Sequence, residues 1–156
     1  MFYSEIKEYD IANGPGVRVT LFVSGCTHHC KGCFNEMTWD FHYGREFNEE
    51  VEEKILNALK PSYIAGLTLL GGEPMEYVNQ QGVLPLLRKV KEKYPDKTIW
   101  CYTGFTYEEI LADERLSRIL PYLDTLVDGP FIEELRNPDL PFRGSSNQRI
   151  ISLAGK

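Results

Sequence analysis

The feature that most constrains the fold is a repeated alternation of short apolar runs with amphipathic helical stripes. Four runs have the β-branched and apolar composition of buried strands, at 17–23, 67–70, 98–102 and 125–127. Strand–helix–strand units form right-handed crossovers on a parallel sheet. The sequence therefore predicts an α/β fold with a mostly parallel sheet.

The connections between these runs carry the helix signals. Apolar residues recur at helical spacing over 47–59 and 83–90, and each stripe ends shortly before a proline. Thr106 and Glu109 have the spacing of a capping box, which predicts a helix running from there towards position 120. A last apolar run at 149–153 predicts a fifth strand.

Ligands of parallel sheets bind at the carboxyl ends of the strands. Polar or glycine-rich segments follow each of the four runs: a cysteine-rich loop, then 71–74, 103–104 and 128–129. The sequence therefore predicts a functional site at this edge of the sheet.

Length and charge narrow the class of protein. The 156 residues suit a single domain over 1–156, and 23 acidic against 17 basic residues give a net charge of −6, which disfavours a nucleic-acid backbone binder. No apolar run reaches the roughly 18 residues that span a bilayer, and the first residues lack the pattern of a secretory signal. We therefore expect a cytoplasmic protein with neither membrane nor nucleic-acid partners.

Three of the four cysteines are clustered, at Cys26, Cys30 and Cys33. Reduced cytosolic thiols at this spacing indicate metal ligands rather than disulfides. Three cysteines on a four-iron cluster leave one iron open to a non-protein ligand. The alternative is structural zinc with His28 or His29 as the fourth ligand, although convergence of a histidine and all three thiolates within so tight a loop is awkward.

The cysteine loop resembles the signature of the radical S-adenosylmethionine superfamily, and Gly71-Gly72-Glu73-Pro74 is similar to its glycine-rich segment. The resemblance implies a short, partial (open) βα barrel, with a [4Fe-4S] cluster on the three cysteines and S-adenosylmethionine as the second cofactor. The residues that it implies for cofactor binding are Gly32, Cys33, Phe34, Gly71, Gly72, Glu73, Thr103 and Asp128. One departure concerns Gly32, because many superfamily members have an aromatic residue there and in this chain Phe34 follows the third cysteine instead.

Within that superfamily, several segments resemble the activating enzymes of glycyl radical enzymes, specifically those that serve anaerobic ribonucleoside-triphosphate reductases. The segments are 10–18, 22–26, 38–39, 127–129 and 143–148. The resemblance implies an oxidoreductase that cleaves S-adenosylmethionine reductively and uses the 5′-deoxyadenosyl radical to take a hydrogen atom from a glycine of the large reductase subunit. It also implies a low-potential electron donor such as flavodoxin.

Three alternatives remain open from the sequence. The first two keep the chemistry and change the target, to a different glycyl radical enzyme or to a small molecule. The third is a zinc-binding interaction module without catalytic activity.

Overall fold

The computed structural model describes residues 1–28 and 39–153. Within these ranges seven strands form one sheet, in the spatial order β3-β1-β2-β4-β5-β6-β7. The strands are β1 (Phe2–Asp10), β2 (Val17–Val23), β3 (Arg45–Glu46), β4 (Ile64–Gly71), β5 (Thr98–Tyr102), β6 (Thr125–Asp128) and β7 (Arg149–Ser152).

The centre of the sheet is parallel and its two sides are antiparallel. The neighbours β2, β4, β5 and β6 run in the same direction. On one side β1 pairs antiparallel with β2 and with β3, and on the other side β7 pairs antiparallel with β6. The sheet is open, with β3 and β7 as its edges. The predicted α/β class and parallel centre are confirmed, whereas β1, β3 and the antiparallel direction of β7 were not predicted.

Helices connect the parallel strands, and three of the four described helices begin at a side-chain cap. They are α1 (Glu49–Ala58), α2 (Tyr77–Lys93), α3 (Tyr107–Leu111) and α4 (Glu114–Ser117). The predicted capping box at Thr106 and Glu109 is present. The helix expected to continue towards position 120 is divided, because the Asp113 side chain accepts hydrogen bonds from the Arg115 and Leu116 N–H groups and starts α4. None of the helices in the described ranges is long and apolar enough to cross a bilayer.

The main core lies between the sheet and the helices. Alternate residues of a strand point to opposite faces of a sheet. The core therefore takes every second residue of the central strands: Val19, Leu21, Val23, Leu67, Leu69, Ile99, Cys101 and Leu126. Cys101 has no exposed surface, as expected of a small buried apolar residue.

The opposite face of the sheet contains a buried polar layer centred on Arg18 of β2. Arg18 is fully buried and donates to the Oγ1 atoms of Thr68 and Thr98, both at 2.9 Å. It also donates to the carbonyl oxygens of Leu67 and Thr98, at 3.1 and 2.8 Å. Burial lowers the pKa of Arg18 to about 10. The Arg18 side chain thus connects β2, β4 and β5 on the sheet face opposite the helices.

Candidate functional site

A cavity of about 490 Å³ lies where the carboxyl ends of the four parallel strands meet. Residues at or just beyond those ends line it: Cys26, Gly71, Gly72, Thr103, Gly104 and Gly129. Small-molecule sites typically occupy roughly 300–1,000 Å³, so this cavity has the size of a cofactor site. Its position agrees with the strand-end site that the sequence predicts.

The turn after β2 brings Cys26 to the cavity wall. Gly25 has a φ of +102°, and the Phe41 ring packs so closely that a Cβ at Gly25 would lie 2.0 Å from its Cδ1. The Cys26 N–H donates to the Trp39 carbonyl at 3.1 Å, and 9% of Cys26 is exposed. The two segments that flank the cysteine loop therefore meet behind Cys26.

Four of the predicted site residues, Cys30, Gly32, Cys33 and Phe34, lie outside the described residues. Their roles stay predictions.

The glycines after β4 form the adjoining wall. Gly71 has a φ of +115°, and the Gly72 N–H donates to the Val23 carbonyl at 2.8 Å. A Cβ on Gly72 would lie 2.5 Å from the carbonyl oxygen of Gly25, which is closer than real Cβ contacts. The glycine turn is thus packed directly against the turn that carries Cys26.

Glu73 lies beneath the cavity and connects its walls. The side chain is fully buried, and its Oε1 lies 2.7 Å from both His28 Nε2 and the Gly104 nitrogen. Its Oε2 accepts from the Thr103 hydroxyl at 2.8 Å and the Met75 N–H at 3.0 Å. Both oxygens are therefore occupied by groups of the protein itself, and the carboxylate joins the ends of β2, β4 and β5.

His28 is held in this network rather than directed away from it. Its ring contacts Phe105 edge-on, with centroids 4.5 Å apart. Burial opposes the charged form, but the hydrogen bond and the charge of Glu73 outweigh it, so the pKa of His28 is raised above its ordinary value. The imidazole therefore links the cysteine loop to the glycine turn.

Asp128 is also predicted as a site residue, but its described hydrogen bonds are to other parts of the fold. It is 1% exposed, and its carboxylate accepts from the Tyr107 N–H at 2.7 Å and from Arg149 Nε at 3.0 Å. The carboxylate thereby joins the end of β6 to α3 and β7. Gly129, the next residue, is the one that lines the cavity.

The remaining wall comes from the segment between β6 and β7. Gln148 organises this segment, because its Oε1 accepts from the Gly144 N–H at 2.8 Å and its Nε2 donates to the Gly129 carbonyl at 3.1 Å. Phe142 packs edge-on against Trp100, with centroids 5.4 Å apart. Arg143 also lines the cavity. The polar segment 143–148 therefore forms part of the site.

Sequence reasoning did not identify Tyr102, which lines the cavity from β5. The strand alternation contained the signal: Cys101 faces the helices, so its neighbour must face the other side of the sheet.

The charge of the lining suits an anionic iron–sulfur cluster. In the described part of the chain, no aspartate or glutamate lines the cavity. The ionisable side chains that do are those of Cys26, His28, Tyr102, Arg136 and Arg143. A thiol donor in such surroundings has the chemistry that iron–sulfur ligation requires. Cys26 therefore fits the predicted cluster.

Known proteins resemble this chain over almost its whole length. The family described as "4Fe-4S single cluster domain" matches residues 12–151. Curated relatives from several bacteria and a phage carry the name anaerobic ribonucleoside-triphosphate reductase-activating protein. The one from Vibrio cholerae is 48% identical over 96% of this chain and 97% of its own length. The one from Escherichia coli is 40% identical over 98% and 99%. The one from Enterobacteria phage T4 is 41% identical over 97% and 94%.

Proposed function

Because the chain belongs to the family of anaerobic ribonucleoside-triphosphate reductase-activating proteins, we propose that it activates such a reductase by generating a glycyl radical on it. The observation that best supports this proposal is the cavity lined by both Cys26 and the glycine turn after β4. A cysteine ligand and a close-packed glycine backbone around one cofactor-sized space are what this chemistry needs.

The residues present suggest how the cofactors are held. Cys26, together with Cys30 and Cys33, would ligate a [4Fe-4S] cluster. When bound, the reduced cluster supplies the electron that cleaves the sulfonium of S-adenosylmethionine, which leads to removal of a hydrogen atom from a glycine of the reductase. The proposed contacts of S-adenosylmethionine are Gly32, Phe34, Gly71, Gly72 and Thr103. Glu73 and Asp128 support the strand ends from outside the cavity lining through their buried carboxylates.

The protein's own contribution is positioning. Glu73 holds His28, Thr103 and Gly104 in fixed relation through its buried carboxylate. A hydrogen transfer between bound groups is fast only when the reacting atoms are held about 3–3.5 Å apart. A rigid arrangement of the strand ends therefore serves a reaction in which a misplaced radical would be lost to side reactions.

The open sheet suggests how a protein substrate reaches the cavity. In our proposal the central strands form a partial βα barrel, and a large partner inserts its glycine loop through the open side. A low-potential protein such as flavodoxin would deliver the electron.

The test uses two buried cysteines as a matched pair. Under anaerobic conditions, the wild-type protein and Cys101→Ala should contain iron and sulfide, form 5′-deoxyadenosine after reduction, and produce a glycyl radical signal by electron paramagnetic resonance on added reductase. Cys26→Ala should lose all three, since Cys101 belongs to the apolar core and Cys26 to the cavity.

Three results would contradict the proposal. One equivalent of zinc without sulfide would indicate the interaction module. Formation of 5′-deoxyadenosine without a radical on the reductase would indicate another target. An unimpaired Cys26→Ala would exclude Cys26 as a ligand.

A further inference from the structure

We propose that Tyr102 and Arg143 bind main-chain carbonyl groups of the reductase segment that carries the target glycine. The inference rests on the proposed function and identifies the residues that position the protein substrate.

The starting observation is a pair of buried donors in the cavity. The Tyr102 hydroxyl and Arg143 Nε are each buried and have no hydrogen-bond partner among residues 1–28 and 39–153. Both residues line the same cavity as Cys26. Buried polar groups in native proteins are almost always satisfied, so such a group in a binding site indicates a contact that the ligand completes.

The two residues approach the cavity from different elements. Tyr102 is the last residue of β5 and lies on the sheet face away from the helical core. Arg143 lies in the segment between β6 and β7, where one of its amino groups donates to the Gln148 carbonyl at 3.2 Å. That bond anchors the guanidinium and leaves Nε for another acceptor.

Both groups act as donors at neutral pH. Burial raises the pKa of Tyr102, and the charge of Asp10 raises it further, while Arg18 opposes the shift only in part. The phenol therefore stays protonated. A guanidinium has donors and no acceptor. The complementary ligand should consequently present hydrogen-bond acceptors, and peptide carbonyl oxygens are such groups.

A glycine-containing loop presents such acceptors without side-chain bulk. The peptide carbonyls on either side of a glycine are accessible, and two donors from different walls would fix both the position and the rotation of the segment between them. Such fixing is what hydrogen removal from a Cα requires. The strand-end residues Cys26, Gly72 and Thr103 are already assigned to the cofactors, so the inner face at Tyr102 is left for the substrate.

The test compares two cavity variants with two surface variants. Tyr102→Phe and Arg143→Met each remove the donor and keep most of the side chain. Tyr63→Phe and Arg118→Met change the same residue types at exposed positions outside the cavity lining. Glycyl radical formation is measured by electron paramagnetic resonance over a range of reductase concentrations. Separate measurements give the iron content, the affinity for S-adenosylmethionine and the thermal unfolding midpoint.

We expect each cavity variant to raise the apparent KM for the reductase by about tenfold, the effect of losing one hydrogen bond to a bound partner. Iron content and the affinity for S-adenosylmethionine should stay as in the wild type in Tyr102→Phe and in Arg143→Lys, because neither variant removes a positive charge from the cavity lining. Arg143→Lys, which keeps a donor on a similar stem, should recover part of the loss and guards against a folding defect in Arg143→Met.

The outcomes separate the inference from the proposed function. If the wild type and both surface variants form no radical on the reductase, the proposed function is wrong. If they form it and the cavity variants show an unchanged KM, the inference alone is wrong. A weaker affinity for S-adenosylmethionine with unchanged KM would assign the two donors to the nucleoside and also overturn the inference.

Discussion

At the scale of single residues, Glu73 is a motif residue whose carboxylate is fully engaged by other groups of the protein. The sequence predicts that it belongs to the site, and the structure places it under the cavity with four hydrogen bonds from four different residues. A charged group buried at this depth is tolerated only when such bonds replace its hydration. The carboxylate is therefore best understood as the link between the strand ends.

We expect Glu73→Gln to lower the free energy of unfolding by about 1–3 kcal/mol, because one carboxylate oxygen becomes an amide group facing other donors. Urea denaturation would measure the loss. Glu53→Gln, which changes an exposed carboxylate of α1, should be close to neutral. Equal stability of the two variants would show that the four contacts at Glu73 contribute little.

Residue roles were only partly predictable from the sequence. Cys26, Gly71, Gly72 and Thr103 do meet at one cavity, because motifs and strand ends are local signals. The contacts of Asp128 with Arg149 depend on the pairing of β6 with an antiparallel strand, which no local pattern specifies. For Tyr102, strand alternation indicates which face of the sheet it occupies, but no local pattern indicates that its hydroxyl has no partner in the described part of the chain.

At the scale of secondary-structure elements, the turns after β2 and β4 form one packed unit. The Gly72 N–H bonds to Val23 and the Glu73 N–H to the Gly25 carbonyl at 2.6 Å. Contact between backbones leaves no room for a side chain at this point. A change in either turn must therefore displace the other.

Two glycines allow this to be tested. We expect Gly72→Ala to reduce cluster retention and stability, because the new Cβ would meet the Gly25 backbone at 2.5 Å. Gly82→Ala, inside α2, meets the Met1 side chain, closest at its mobile Cε, and should be near neutral or stabilising by up to about 1 kcal/mol. Iron content and thermal unfolding would measure both, and a Gly72→Ala protein indistinguishable from Gly82→Ala would refute the close packing.

The strands that are buried on both faces of the sheet were predictable from their continuous apolar runs. The parallel strand β5 has the predicted bounds, and the two predicted helical stripes at 47–59 and 83–90 correspond to α1 and α2, whereas the third predicted helix is divided. In contrast, β1 has Glu5, Lys7 and Glu8 among its apolar residues and gives no clear alternation. Its strand character depends on pairing with β2 on one side and β3 on the other, which is tertiary information.

At the scale of the whole molecule, acid sensitivity should depend in part on Asp10 at the end of β1. Burial opposes ionisation, but hydrogen bonds from Thr20, Asn13 and the Ala12 N–H outweigh it and lower the pKa of Asp10 below its ordinary value of 3.8. A group with a lowered pKa in the folded state stabilises the protein above the unfolded-state pKa, and this stabilisation is lost as the pH falls through the folded-state value.

We therefore expect the stability difference between the wild type and Asp10→Asn to be largest near neutral pH and to shrink between about pH 5 and pH 2. Denaturation curves at several pH values would measure it. Asp96→Asn, at an exposed position, serves as the control. A difference that stays constant with pH would show that Asp10 does not contribute to the acid response.

The antiparallel direction of β7 limits how this architecture can be enlarged. The strand begins at Arg149 beside Asp128 and ends at Ser152 beside Thr125, so its carboxyl end lies at the rim remote from the cavity. A strand–helix unit appended after β7 would start from that remote rim and not from the mouth of the cavity. Recognition loops beside the cavity would accordingly arise by insertion between existing elements, as in the long segment between β6 and β7, rather than by extension after β7.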